Sequence, residues 1–109
     1  MIFNQHYTEF FCKRVEGAIL GFVTGDALGV PVEFTDRAEL NLDPVIGMRS
    51  GGPHAQPAGT WSDDTSMTLC TIESLIENGI DYNDQMLRFS DWLWNATNTL
   101  YALKSNIMS

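Results

Sequence analysis

Basic residues are few in this chain, and that scarcity limits its partners. Only 6 of 109 residues are Lys or Arg, against 14 Asp or Glu, for a formal charge of -8. Nucleic acid and anionic membrane are repelled by such a field, because non-specific phosphate binding needs clustered Lys and Arg. Cysteine is scarce too. Cys12 and Cys70 stand far apart, which gives neither a disulfide framework nor a zinc pattern. Two reduced, mostly buried thiols in a cytoplasmic protein are expected. The two histidines, His6 and His54, are isolated from each other and from any cysteine. An isolated histidine is more often a surface or core residue than a ligand. Long apolar runs are missing as well. Ala18 to Val23 follows Lys13 and Arg14 in the manner of a signal peptide. Glu16 and Asp26 bracket that stretch, however, and it is too short to span a bilayer, so a buried soluble helix is expected.

Alternating strand patterns are also absent beyond a few residues, while apolar content is ample. A hydrophobic fraction of 44% with 11% aromatics excludes a disordered chain. The helical period appears instead. From about Thr8 to Gly29 the pattern predicts a helix in which Gly17, Gly21, Gly25 and Gly29 recur every fourth residue. Each internal glycine costs a helix up to roughly 1 kcal/mol relative to alanine. Four of them suggest something packed close to that backbone, and Ile19, Leu20, Phe22 and Val23 suggest burial nearly all round. Pro31 stops the helix, and Val32-Glu33-Phe34 leads into a polar connector. Asn41 to Thr60 reads as loop, through Asp43-Pro44, Ser50-Gly51-Gly52-Pro53 and Pro57-Ala58-Gly59. A loop of that length inside a compact domain is usually functional.

A second helix is predicted from Trp61-Ser62-Asp63-Asp64-Thr65, with Leu69, Ile72, Leu75, Ile76 and Ile80 in helical phase and Gly79 as its stop. A third begins near Asn83 as N-cap, with Tyr82 and Leu87 placed as a hydrophobic staple. Met86, Leu87, Leu93, Trp94 and Tyr101 would form its buried side. The architecture is all-α. Asn95 to Ser109 carries no clear start, stop or turn chemistry, and three helices do not close a core. The chain reads as unfinished.

Ser62, Asp63 and Asp64 are consecutive hard oxygen donors at a helix start. Adjacent carboxylates repel unless positive charge lies between them. A helix N-terminus supplies about half a charge, so capping with an acidic first turn explains the run as well as metal binding does. If a metal is held, oxygen ligands suit Mg2+, Mn2+ or Ca2+ rather than zinc. Neighbouring helical residues point about 100° apart, which suits two ions, or a bridge between them, better than one. Glu33 is the second candidate: apolar neighbours would raise its pKa were it buried, fitting it for acid–base work. A plain loop glutamate is the alternative. Asp26 interrupts the most apolar part of the chain; it either faces a polar site or caps and hydrogen-bonds nearby backbone, and the second is expected.

Gly17-Ala18-Ile19-Leu20-Gly21, followed by Gly25-Asp26-Ala27-Leu28-Gly29-Val30-Pro31-Val32-Glu33-Phe34, resembles the opening of the ADP-ribosylglycohydrolase (dinitrogenase-reductase-activating glycohydrolase) family. Gly59-Thr60-Trp61-Ser62-Asp63-Asp64-Thr65 resembles that family's first metal motif, in the same order. The resemblance covers about Val15 to Leu93. It implies an all-α orthogonal helical bundle with a binuclear Mg2+ or Mn2+ centre at the base of an ADP-ribose cleft. Residues 1–94 would be the N-terminal part of that domain, truncated to its first helices, and 95–109 an unmatched tail. By the same resemblance Ser62, Asp63 and Asp64 would be metal ligands, with Ser62 where threonine is more usual. Glu33 would be catalytic, and no further cofactor is implied.

The family's second cluster, of the Asp-x-Asp-Thr type, has no counterpart after Leu93. The resemblance implies a divalent-metal hydrolase that removes ADP-ribose from modified proteins or related acceptors, with this chain alone inactive. The alternative is a non-catalytic remnant acting as an interaction module. A helical structural module with no ligand would leave Gly59 to Thr65 unexplained.

Overall fold

In a computed structural model, residues 5–98 are described, and among them the chain is helical with no strand. Helix α1 spans Gln5–Gly29 and runs into a 3-10 turn at Val30–Val32. A short α2 occupies Arg37–Leu42, inside what the sequence suggested was connector. Helices α3 (Asp63–Asn78) and α4 (Tyr82–Asn95) follow the long loop. The all-α expectation holds.

The start of α3 is set by Ser62, whose hydroxyl accepts the Asp64 N–H at 3.1 Å, and its end by Gly79 at φ 65, whose N–H reaches Leu75 O at 3.1 Å. A side chain at that φ would be strained, so glycine is the natural stop. Three residues then separate α3 from α4, which makes the two an antiparallel pair. The cap of α4 differs from expectation. Asp81, not Asn83, accepts the Asp84 N–H at 3.1 Å. Asn83 therefore lies inside the first turn, and Tyr82 and Leu87, both exposed, no longer stand at staple positions.

Helix α3 is the middle of the assembly, touching α1 on one side and α4 on the other. The buried residues are small: Ala27 and Val30 from α1 and its turn, and Thr65, Ser66, Cys70 and Ser74 from α3. Arg88 on α4 ties the pair together. Its Nε donates to Asp84 at 2.7 Å, and its terminal nitrogens meet Glu77 at 2.6 Å and Glu73 at 3.5 Å across the helix gap. The buried Ser74 hydroxyl faces Asp84 just outside hydrogen-bond geometry. With Arg88, it holds the Asp84 carboxyl below its ordinary value, and Asp84 and Glu77 in turn push the Arg88 guanidinium up.

Burial is otherwise far less than the periodicity suggested. Leu20 is 66% exposed and Trp94 78%, and Ile76, Ile80, Met86, Leu87 and Leu93 are exposed with them. Tyr101 lies outside the described residues. Among the described residues, nothing comes within 4 Å of a Cβ built on Gly17, Gly21, Gly25 or Gly29, so no described element uses the glycine stripe for close approach. Periodicity specifies which face is apolar; a neighbour must still cover it. The radius of gyration, 17.1 Å against about 13 Å for a compact domain of this size, reflects the same open packing.

Of the two thiols Cys70 is buried but Cys12 is exposed on α1. The helix is also longer than its central apolar run. Gln5–Val32 is long and apolar enough, by length and composition, to cross a membrane. The core helix of a large helical bundle meets the same test.

Candidate functional site

The site is built where the end of α1 meets the start of α3. Asp26, one turn before the end of α1, accepts three hydrogen bonds from α3: Ser62 N–H at 2.8 Å, Ser62 Oγ–H at 2.7 Å and Thr65 Oγ1–H at 2.6 Å. Burial pushes the Asp26 carboxyl up, but the hydroxyl bonds from Thr65 and Ser62 and the backbone bonds outweigh it, and the net shift is downward. The backbone group that Asp26 bonds is not in the nearby chain, as the sequence suggested, but at Ser62, 36 residues away, and two side-chain hydroxyls join it there. Trp61 steadies the same junction by donating its indole N–H to Ser66 Oγ at 3.2 Å. Just before it, Thr60 closes a turn on Pro57 O at 2.8 Å.

This clamp fixes the first turn of α3 and leaves its acids free. Asp63 and Asp64 are exposed, and their side-chain carboxylates accept no hydrogen bond from any described residue. The Ser62 hydroxyl donates to Asp26 and accepts from Asp64 N–H, so one lone pair remains. These oxygens suit Mg2+ or Mn2+ in kind. In number they are short of the roughly six ligands such an ion takes. Among the described residues, no three Asp, Glu, His or Cys side chains converge as a metal-binding group.

Glu33 follows the 3-10 turn and is not buried by its apolar neighbours; its side chain is 45% exposed, and Phe34 is 86% exposed. No hydrogen bond links it to Ser62, Asp63 or Asp64. Its partner is His54, whose Nε2 lies 2.7 Å from Glu33 Oε2. The pairing was not legible in the sequence, where the two are 21 residues apart. The signal that could have found it is Gly51-Gly52, both at positive φ. Gly51 N–H bonds Gln56 O at 2.8 Å, closing the turn that carries His54. Gly52 sits so close to Pro31 that an added Cβ would fall 2.3 Å from its carbonyl oxygen.

The ADP-ribosylglycohydrolase family model matches residues 8–108, and the chain belongs to that family. It is 42% identical over 66 residues to the ADP-ribosylarginine hydrolase Tri1 of Serratia proteamaculans, covering 61% of this chain and 17% of that protein. Against the ADP-ribosyl-[dinitrogen reductase] glycohydrolase of Rhodospirillum rubrum, identity is 39% over 83 residues, covering 73% of this chain and 28% of the relative. A solved structure titled ADP-ribosylglycohydrolase-related protein complex superimposes with a TM-score of 0.66 at 47% identity, covering 71% of this chain and 26% of that one. The matched part of the chain thus spans between 17% and 28% of the length of these relatives. The family match runs through 95–108 as well, where no motif is evident by eye; residues from 99 on lie outside those described.

Proposed function

We propose that this chain supplies the first ligand set and the acid–base glutamate of a hydrolase that cleaves the glycosidic bond between ADP-ribose and a protein acceptor. The observation that carries the proposal is the Asp26 clamp, which presents the unpartnered carboxylates of Asp63 and Asp64, and one lone pair of Ser62, at the head of α3. Ser62, Asp63 and Asp64 would hold Mg2+ or Mn2+. When bound, such ions polarise water and the ribose hydroxyls and offset the diphosphate charge.

The residues of this chain have complementary work. Breaking the bond at the anomeric carbon develops positive charge on the sugar. The carboxylates of Asp63, Asp64 and Glu33 supply a field of the matching sign. Glu33 orients the attacking water and takes its proton, a role that needs hydrogen-bond reach rather than burial. An acidic cytoplasmic protein without basic clusters would select its substrate by these contacts, not by attraction to phosphate.

The test is release of ADP-ribose from an ADP-ribosylated protein in the presence of Mg2+, using this chain joined to the unmatched remainder of the Rhodospirillum rubrum relative. Turnover that falls at least a hundredfold in Asp63→Asn and in Glu33→Gln is expected. Undiminished turnover in both would refute the assignment. The exposed apolar faces of α1 and α4, Leu20 and Trp94 among them, favour a second reading, an interaction module without catalysis. An inactive joined protein that still binds the remainder as a separate chain would support it.

A further inference from the structure

We propose that His54 is a positioning residue that holds the Glu33 carboxylate by one oxygen and leaves the other free to face water. The inference rests on the reading of Glu33 as the proton acceptor, and it assigns His54 no contact with substrate.

Three observations carry it. First, the bond is short, 2.7 Å from His54 Nε2 to Glu33 Oε2, and no other described side chain bonds this carboxylate. Second, both ends of the bond are anchored in backbone. On the histidine side, the Gly51–Gln56 bridge and the Ala55 N–H to Gly52 O bond at 3.1 Å close the turn, and Gly52 approaches the Pro31 backbone too closely to admit a Cβ. On the glutamate side, Thr35 N–H returns to Val32 O at 3.0 Å. Third, Phe34 adopts φ 65, a region that bulky residues avoid. The close approach of Gly52 to Pro31 thus brings together the two hydrogen-bonded turns that carry His54 and Glu33.

An exposed glutamate without a partner distributes itself among the staggered wells of its side-chain torsions. The His54 bond selects one. Oε2 is then occupied by the donor and Oε1 keeps its lone pairs, which fixes the direction from which a proton can be accepted. A histidine serves because its Nε2 reaches further from the backbone than a serine or asparagine donor. Glutamine reaches similarly and also donates.

The experiment uses the 109-residue chain, uniformly labelled, and reads the Glu33 rotamer populations from three-bond side-chain couplings. In wild type one rotamer should dominate. In His54→Ala its share should fall severalfold, toward equal occupation of three wells. His54→Gln should restore most of the preference, while Gly51 amide protection stays constant across the three. The same Glu33 distribution in wild type and His54→Ala would overturn the proposal, and so would averaging that His54→Gln fails to reverse, since loss of the loop alone would then explain it. Turnover is not measured, so failure here leaves the hydrolase reading standing; Glu33→Gln in the joined protein tests that reading separately.

Discussion

Asp26 and Ser62 are joined twice, through the serine backbone N–H at 2.8 Å and its hydroxyl at 2.7 Å, so that the end of α1 caps the beginning of α3 from 36 residues away. The family glycine-aspartate motif and the serine-aspartate-aspartate motif are therefore two sides of one junction. Thr65, fully buried, completes it with a third bond. Asp26→Ala would leave those donors without an acceptor. A hydrogen bond to a charged group contributes about 1.5–3 kcal/mol, and orphaned donors cost about 1–3 kcal/mol more where water cannot replace the partner. Partial access by water at Asp26 moderates the sum, and a loss of about 2–3 kcal/mol in urea denaturation is expected. A change below about 0.5 kcal/mol, the level of an ordinary surface substitution, would show that the junction does not hold α1 to α3.

The same carboxylate makes stability depend on acidity in a definite direction. Its folded pKa is depressed below the ordinary 3.8, because the Thr65 and Ser62 bonds outweigh the opposing effect of burial. A depressed carboxyl contributes stability that is fully present above its unfolded value and is lost as pH falls through the folded one. Stability should thus be level near neutrality and decline below about pH 4. Asp84 is shifted in the same sense by Ser74 and Arg88, so Asp26→Asn should flatten the decline only in part. Denaturation midpoints between pH 2 and 6 check this. An acid decline of equal depth in Asp26→Asn would remove Asp26 from the account.

Two kinds of glycine should respond oppositely to alanine. Gly52 has φ 74 and no room, since its added Cβ would lie 2.3 Å from Pro31 O. The left-handed conformation alone costs an L-residue about 1–2 kcal/mol, and the clash must also push the turn off Pro31. Gly52→Ala should be destabilising by more than that and should break the His54–Glu33 bond. Gly21 lies on α1, and no other described element comes within 4 Å of a Cβ added there. Gly21→Ala should instead raise helix stability, by up to about 1 kcal/mol. Circular dichroism melts of the two variants decide the matter; a destabilising Gly21→Ala would mean that some partner does approach the glycine stripe.

The local grammar of helices was legible from sequence and their tertiary cover was not. Ser62 and Gly79 bound α3 where a capping residue and a stop were expected, because those signals act within one turn. The cap of α4 was misplaced by two residues because Asp81, Asn83 and Asp84 can all cap, and the choice depends on how the chain leaves Gly79. Helix α2, six residues long, has too little periodicity to declare itself. Leu20, Met86, Leu87 and Trp94 were expected inside, but hydrophobic phase says nothing about whether a neighbour exists. In the site, Ser62, Asp63 and Asp64 were found together at the helix head as the motif implied. His54 was missed because the bond that places it on Glu33 depends on two turns meeting across 21 residues.

Metal binding by this chain alone should be weak. Ser62 has one lone pair to give, and the carboxylates of Asp63 and Asp64 leave neighbouring helical positions about 100° apart. An ion touching all three would still draw half or more of its roughly six ligands from water. No third acidic or histidine side chain among the described residues converges on them. Glu33 is engaged by His54. The two aspartates also gain their charge compensation from the α3 N-terminus, worth about half a unit of positive charge, before any ion arrives. Titration calorimetry with Mg2+ or Mn2+ should therefore show little heat at micromolar ion, with saturation only at millimolar concentration. Asp63→Asn and Asp64→Asn should each weaken what binding there is, whereas Glu77→Gln on the far turn of α3 should not. Tight binding of two ions by the 109-residue chain would mean that further ligands close the shell and that the partial site drawn from Ser62, Asp63 and Asp64 is wrong.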